Sequence, residues 1–130
     1  MAERAVPLPS EGELELLGVL WARGPSTVRE VLDALGPGRA IGYTTVLKQL
    51  QIMHGKGLVT RDEGARSHVY AAAAEEGATQ QRLVSDLVER AFGGSAARLV
   101  LNALSGPAAT AEERAEIRAL LERLEREEES

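Results

Sequence analysis

Apolar residues recur at helical spacing along the first half of the chain, and Gly and Pro break the pattern into blocks. From Ser10 to about Arg23, Leu14, Leu17 and Trp21 fall on one face, with Leu20 beside them. Ser10 and Glu13 have the spacing of a capping box at the start of this helix, and Gly24–Pro25 end it. A second helix begins at Thr27, with Glu30 three residues on as a second capping box. Val28, Val31, Leu32 and Leu35 form its stripe, and "GPG" at 36–38 stops it. The third helix starts near Tyr43 and ends near Gly55–Gly57. At about 100° per residue, Val46, Leu50 and Met53 share one side of it, flanked by Tyr43 and Leu47. Thr44, Thr45, Lys48, Gln51 and Ile52 share the other. Leu58–Arg61 and Ser67–Ala71 then look like two short strands joined by the turn "DEGA". Three helices followed by a hairpin is the order of a winged helix-turn-helix domain.

The pattern changes at "AAAAEEGA", Ala71 to Ala78, where small and acidic residues take over. The expected division is a winged helix-turn-helix domain at 8–72 and a helical domain at 73–130. A fourth helix is expected from about Thr79 to Phe92, with Leu83, Val84, Leu87, Val88 and Ala91 on one side. A fifth, about Ser95 to Leu104, is apolar nearly all round (Leu99, Val100, Leu101, Leu104) and expects burial. The sixth starts at Thr110, with Glu113 completing a third capping box and Ile117, Leu120, Leu121 and Leu124 as its stripe. The tail "EREEES" is expected to fray. Three short helices bury too little surface to fold alone. A second copy of the chain is the simplest partner, the alternative being packing onto the first domain in a monomer. The expected dimerisation residues are Leu83, Leu87, Val88, Phe92, Leu99, Leu104, Ile117, Leu120, Leu121 and Leu124. The fold class is therefore mainly α, a winged helix-turn-helix DNA-binding domain followed by a three-helix dimerisation domain.

Composition narrows the functional classes. Of the 130 residues, 44 % are hydrophobic but only 3 % aromatic, so aliphatic residues must build a core that suits helices. The absence of cysteine removes disulfides, thiolate metal sites and cysteine nucleophiles, and fits a reducing compartment. No apolar run is long enough to span a bilayer, and "MAERAVPLPS" lacks the apolar core of a signal peptide. A cytoplasmic protein without membrane insertion, metal or cofactor is expected. The net charge of −5 argues against nucleic-acid binding, yet it is uneven. Residues 1–72 hold eight basic and eight acidic side chains, whereas 73–130 hold seven and twelve. Within Arg39–His68, Arg39, Lys48, Lys56, Arg61 and Arg66 oppose only Asp62 and Glu63, for a local +3. A nucleic-acid footprint needs only such a local face.

The outward side of the third helix has groups suited to a DNA groove. A major groove admits one helix and shows a distinct donor and acceptor pattern at each base pair. Thr44 and Thr45, at the helix N-terminus, suit phosphate. Lys48 reaches a guanine edge or a phosphate, Gln51 pairs with adenine, and Ile52 touches a thymine methyl. Arg39, in the preceding loop, suits a phosphate, and Arg66 and His68 reach from the wing toward the backbone or minor groove. The plain alternative is a solvated helix face, which such residues usually form, and single exposed apolar residues like Ile52 are ordinary. Tyr43, also a DNA-contact candidate, more naturally packs at the helix start. His54 points to the buried side, and Arg61 has Asp62 or Glu63 to pair with.

Together "TVREVLDAL", "YTTVLKQLQIMHGKGLV" and "RSHVYAA" resemble the penicillinase-repressor family (the BlaI/MecI/CopY family) of bacterial transcriptional repressors. "LPSEGELELLGVLW" and "FGGSAARLVLNAL" extend the likeness from about Leu8 to Leu124. The resemblance implies a homodimer whose two heads read halves of a palindromic operator, with the C-terminal helices as dimer core. It also implies release by proteolysis, after a membrane-bound sensor metalloprotease detects β-lactam or a similar envelope signal in antibiotic resistance. The family's cleavage point resembles "LVLNAL", after Asn102, although Ala103 stands where penicillinase repressors commonly have Phe. Ile52 and Gly55 stand where a common family pattern has Arg and Lys, so operator sequence does not carry over. The copper-responsive branch uses a C-terminal cysteine cluster, which this chain lacks.

Two other classes compete. For an enzyme, His54 and His68 lie fourteen residues apart without carboxylates at zinc-site spacing, and there is no G-x-S-x-G. "HGKG" lacks the first glycine of a phosphate loop, since Leu50 stands there, and no catalytic residue is expected. A winged-helix adaptor that binds protein through its acidic half, without sequence-specific DNA binding, is the other.

Overall fold

The computed structural model describes residues 6–38, 40–64 and 66–129. Its elements are α1 (Glu11–Arg23), β1 (Ser26–Thr27), α2 (Val28–Leu35), α3 (Tyr43–Lys56), β2 (Val59–Asp62), β3 (Val69–Ala72), α4 (Glu76–Ala91), α5 (Ala96–Ser105) and α6 (Ala111–Glu129). The chain is mainly α-helical, with a winged helix-turn-helix order in its first half. Two compact units divide it, 1–83 and 84–130.

All three expected capping boxes form. Ser10 and Glu13 bond each other's backbone N–H at 3.2 and 2.9 Å, Thr27 and Glu30 do so at 3.2 and 2.9 Å, and Thr110 and Glu113 at 3.1 and 2.9 Å. Two helix ends differ from expectation. α4 runs from Glu76 to Ala91 rather than from about Thr79, so Thr79 lies inside the helix, its N–H donating to the Glu75 carbonyl. α6 keeps its helix to Glu129 instead of fraying over the tail, because Glu, Arg and Leu are all good helix formers.

The core of the first unit gathers Leu16, Leu17 and Leu20 of α1, Val28 and Val31 of α2, Val46, Leu50 and Met53 of α3, and Leu58, Val59 and Tyr70 of the sheet region. In α1 the buried stripe is Glu13, Leu16, Leu17 and Leu20, not the expected line through Leu14 and Trp21. Both Leu14 and Trp21 are only partly covered, and the Trp21 indole N–H donates to the Ala74 carbonyl at 2.9 Å. The sheet runs β1-β3-β2, all antiparallel, with Arg61 opposite Tyr70 and Ser26 opposite Tyr70 on its other edge. Strand β1, absent from the expected elements, is two residues long and ties the start of α2 to the hairpin.

α3 ends in a Schellman motif. Gly57, at φ +86°, donates to the His54 carbonyl, and Leu58 N–H reaches the Met53 carbonyl at 2.9 Å. This left-handed position suits glycine, and the turn drops Leu58 and Val59 straight into the core.

In the second unit, neither α5 nor α6 holds a buried residue. The burial expected of α5 is therefore absent within one chain, and Leu101 is 63 % exposed. No described helix is long and apolar enough to cross a membrane.

One long-range ion pair joins the ends of two helices. Lys56 Nζ lies 2.7 Å from Glu13 Oε2, and the Glu13 side chain is only 5 % exposed. Burial pushes the Glu13 carboxyl up, but the Lys56 ammonium and the Ser10 N–H and hydroxyl outweigh it and hold it below the ordinary carboxylate value. Such a group stabilises the fold above its unfolded pKa and ceases to as pH falls through its depressed folded pKa. Lys56→Met is therefore expected to destabilise the protein by about 1–2 kcal/mol near neutrality, because it leaves a buried carboxylate without its cation. In urea unfolding the gap between variant and parent should close as the pH drops below the ordinary carboxylate range. A gap independent of pH would show that packing, not charge, links these two ends.

Candidate nucleic-acid interface

Val46, Leu50 and Met53 are 0 % exposed, which fixes the rotation of α3 and turns Thr44, Thr45, Lys48, Gln51 and Ile52 outward. All five are exposed, Ile52 at 46 %. Gly42 starts the helix without a side-chain cap, unlike Ser10 at α1 and Thr27 at α2. The first N–H groups of α3 thus lack a capping side chain, and an anion is their natural acceptor. Among the described residues no ion pair engages Lys48.

The wing is the β2–β3 hairpin with its loop, of which Arg66, Ser67 and His68 are exposed. Its carboxylates are turned to internal use. Glu63 accepts from Arg61 Nε at 2.8 Å and from Nη2 at 2.6 Å, and Asp62 accepts the Gly64 N–H at 2.9 Å. The Arg61 bonds hold the Glu63 carboxyl below its ordinary value. Arg61 itself is held more basic than usual by the Tyr70 hydroxyl and then by Glu63. That hydroxyl is buried without a hydrogen bond of good geometry among the described residues, which leaves Arg61 as its polar neighbour. Of the two partners foreseen for Arg61, the one observed is Glu63.

Two depressions flank α3. Thr27, Val28, Arg29, Tyr43, Leu47, Arg66, Ser67 and His68 line a groove between α2, α3 and the wing, so Tyr43, Arg66 and His68 come together there. Thr45, Lys48 and Ile52 line the other with Glu13, Gln49 and Lys56. Thr44 and Gln51 line neither, and Arg39 lies outside the described residues. Tyr43 is 43 % exposed rather than packed away, and the Arg29 guanidinium sits 5.3 Å from its ring centroid. Sequence reasoning misses Arg29, because a lone basic residue in the first turn of the preceding helix leaves no periodic mark. His54 is partly buried, as its side of the helix implies.

Of the expected dimerisation residues, Leu87, Leu120, Leu121 and Leu124 are exposed, while Leu83, Phe92, Leu99, Leu104 and Ile117 are half-buried. Val88 is already buried within the chain, and Val84, Val100 and Leu101 add exposed apolar surface beyond that set. Asn102 and Ala103 are exposed on α5, where Asn102 Nδ2 donates to the Arg98 carbonyl at 3.0 Å.

The penicillinase repressor family model matches residues 9–123. The transcriptional regulator BlaI of Mycobacterium tuberculosis, in two strains, is 43 % identical over 63 residues, which is 46 % of this chain and 46 % of that one. The match thus spans under half the length of that relative. Among solved structures, the monomeric BlaI of Bacillus licheniformis in complex with the blaP half-operator is 25 % identical, covering 56 % of this chain and 89 % of that one, with a TM-score of 0.48. The DNA-binding domain of the repressor BlaI is 24 % identical over 57 % of this chain and 90 % of its own, with a TM-score of 0.49. Since the family match runs from the start of α1 into α6, the chain belongs to the penicillinase repressor family, whose members are transcriptional repressors and not enzymes.

Proposed function

We propose that this chain is a dimeric repressor that binds a palindromic operator with α3 in the major groove and the wing on the adjacent backbone. The observation that carries this reading is the outward face of α3, polar and cationic, beside an N-terminus without a side-chain cap. Lys48 supplies its charge, Gln51 and Thr45 hydrogen bonds, and Ile52 an apolar contact for a thymine methyl. Arg66 and His68 serve the backbone, and Tyr43 and Thr44 stand at the groove entrance.

The heads are residues 8–72 and the dimer core 73–130. The exposed Leu87, Leu101, Leu120, Leu121 and Leu124 support a dimer, since a second copy can cover them. Linkage through that core raises the effective concentration of the second head, so two weakly cationic heads together hold DNA tightly. Relief of repression comes from cutting after Asn102 by a membrane-bound sensor metalloprotease, answering β-lactam or envelope stress. Support for this site lies in the exposure of Asn102 and Ala103 on α5.

Lys48→Ala and Arg66→Ala are each expected to weaken binding to this chain's own promoter by about 1–3 kcal/mol per head while leaving the elution volume on a sizing column unchanged. Either variant becoming monomeric would overturn the assignment of these residues to DNA contact, and no sequence-selective shift by the parent protein would favour a protein-binding adaptor. A fragment ending at Asn102 should elute as a monomer and lose roughly two or more orders of magnitude in operator affinity. Undiminished affinity of that fragment would exclude release by cleavage at this point.

A further inference from the structure

The groove between α2, α3 and the wing holds Arg29, a cation to which the proposed function gives no role, beside Tyr43, Arg66 and His68. Its polar lining residues are Arg29, Arg66, His68, Tyr43, Ser67 and Thr27. No carboxylate lines it among the described residues. The nearest acidic side chains in sequence are occupied elsewhere. Glu30 accepts the Thr27 N–H at 2.9 Å and pairs with Arg23 at 3.7 Å, while Glu63 is clamped by Arg61. The Arg29 guanidinium lies over Tyr43, 5.3 Å from the ring centroid. An aromatic face steadies a guanidinium without using its N–H donors, so Arg29 keeps them for a planar, bidentate acceptor.

We infer that this groove binds a phosphate of the duplex backbone, with Arg29 as an unassigned phosphate contact and Tyr43 as the residue that positions it. The inference rests on the proposed DNA binding of α3. Arg29 comes from α2, Tyr43 from the first turn of α3, and Arg66 and His68 from the wing loop, so one bound phosphate would tie together all three parts of the head. Ordinary backbone contacts fix a protein's register on DNA without reading sequence. This contact would set the angle at which α3 enters the groove.

The test titrates a fluorescent duplex carrying this chain's own promoter with the full-length protein over a salt series. Parent, Arg29→Ala, Tyr43→Leu, Tyr43→Phe and Lys48→Ala are compared, with the thermal midpoint of each as a folding control. Arg29→Ala is expected to weaken binding about tenfold and to make the slope of log Kd against log salt shallower by about 0.9 for each phosphate that Arg29 neutralises. Tyr43→Leu should follow it in part, while Tyr43→Phe, which keeps the ring, should match the parent. Parent-like affinity of Arg29→Ala, or weaker binding with an unchanged salt slope, would overturn the phosphate contact. A Tyr43→Phe defect equal to that of Tyr43→Leu would overturn the positioning role, because the hydroxyl and not the ring would then matter. If Lys48→Ala weakens binding while Arg29→Ala does not, DNA binding by α3 survives and this inference fails. If the parent itself shows no selective binding, the functional reading falls first.

Discussion

Complete burial of Val46, Leu50 and Met53 is the constraint on which the head depends. Each such side chain is worth about 1.5–3 kcal/mol when removed from water, so α3 has one acceptable rotation about its axis. That rotation aims Thr44, Thr45, Lys48, Gln51 and Ile52 outward, and no ion pair among the described residues holds them there. The same burial continues past the helix end. The Gly57 turn sends Leu58 and Val59 into the core that α3 has just left, and β2 starts there. Because β3 pairs with β2 on one edge and with β1 on the other, the wing is tied to the residues immediately before α2. Arg29 and Tyr43 thus meet Arg66 and His68 as a consequence of how the core closes.

Local signals in the sequence are enough for much of this. The three capping boxes involve partners three residues apart, so their chemistry can be seen in a short window. The two faces of α3 follow from a clean separation of apolar and polar positions. α1 is less informative because Leu14, Leu16, Leu17 and Leu20 offer two overlapping stripes. Only the position of α3 and the sheet decides that Leu16 goes in while Leu14 stays at the margin. The Glu13–Lys56 pair joins residues 43 positions apart, and nothing periodic records it. Strand β1 is too short to alternate, and Arg29 gains meaning only from the ring beneath it.

The two units differ in how they satisfy their apolar residues. The first has a closed core within one chain. The second exposes much of its leucine and valine surface, including Val84, Leu87, Val100 and Leu101. On the proposed dimer this difference has a thermodynamic meaning. The head folds on its own contacts, whereas the stability of α5 and α6 is set by association and so by protein concentration. A repressor built this way can shed its second half without unfolding its first, and DNA affinity then falls because the heads are no longer linked, not because a head is damaged.

Net charge is a poor guide to what such a head can bind, and the ion pairs explain why. By count, residues 1–72 are neutral. By geometry they are not evenly so. Glu13 is committed to Lys56 and Ser10, Glu30 to Thr27 and Arg23, and Glu63 to Arg61. Each of these carboxylates is neutralised by a cation that lies off the outward face of α3 or at its margin. Lys48, Arg29 and Arg66 are left on the side where α3 and the groove open to solvent, with no carboxylate among the described residues paired to them. Beyond residue 72 the balance is acidic, with twelve acidic side chains against seven basic ones. The sum over the chain therefore does not set the charge at the α3 face, where Lys48, Arg29 and Arg66 have no ion-pair partner among the described residues, so an acidic chain and an anionic ligand are compatible.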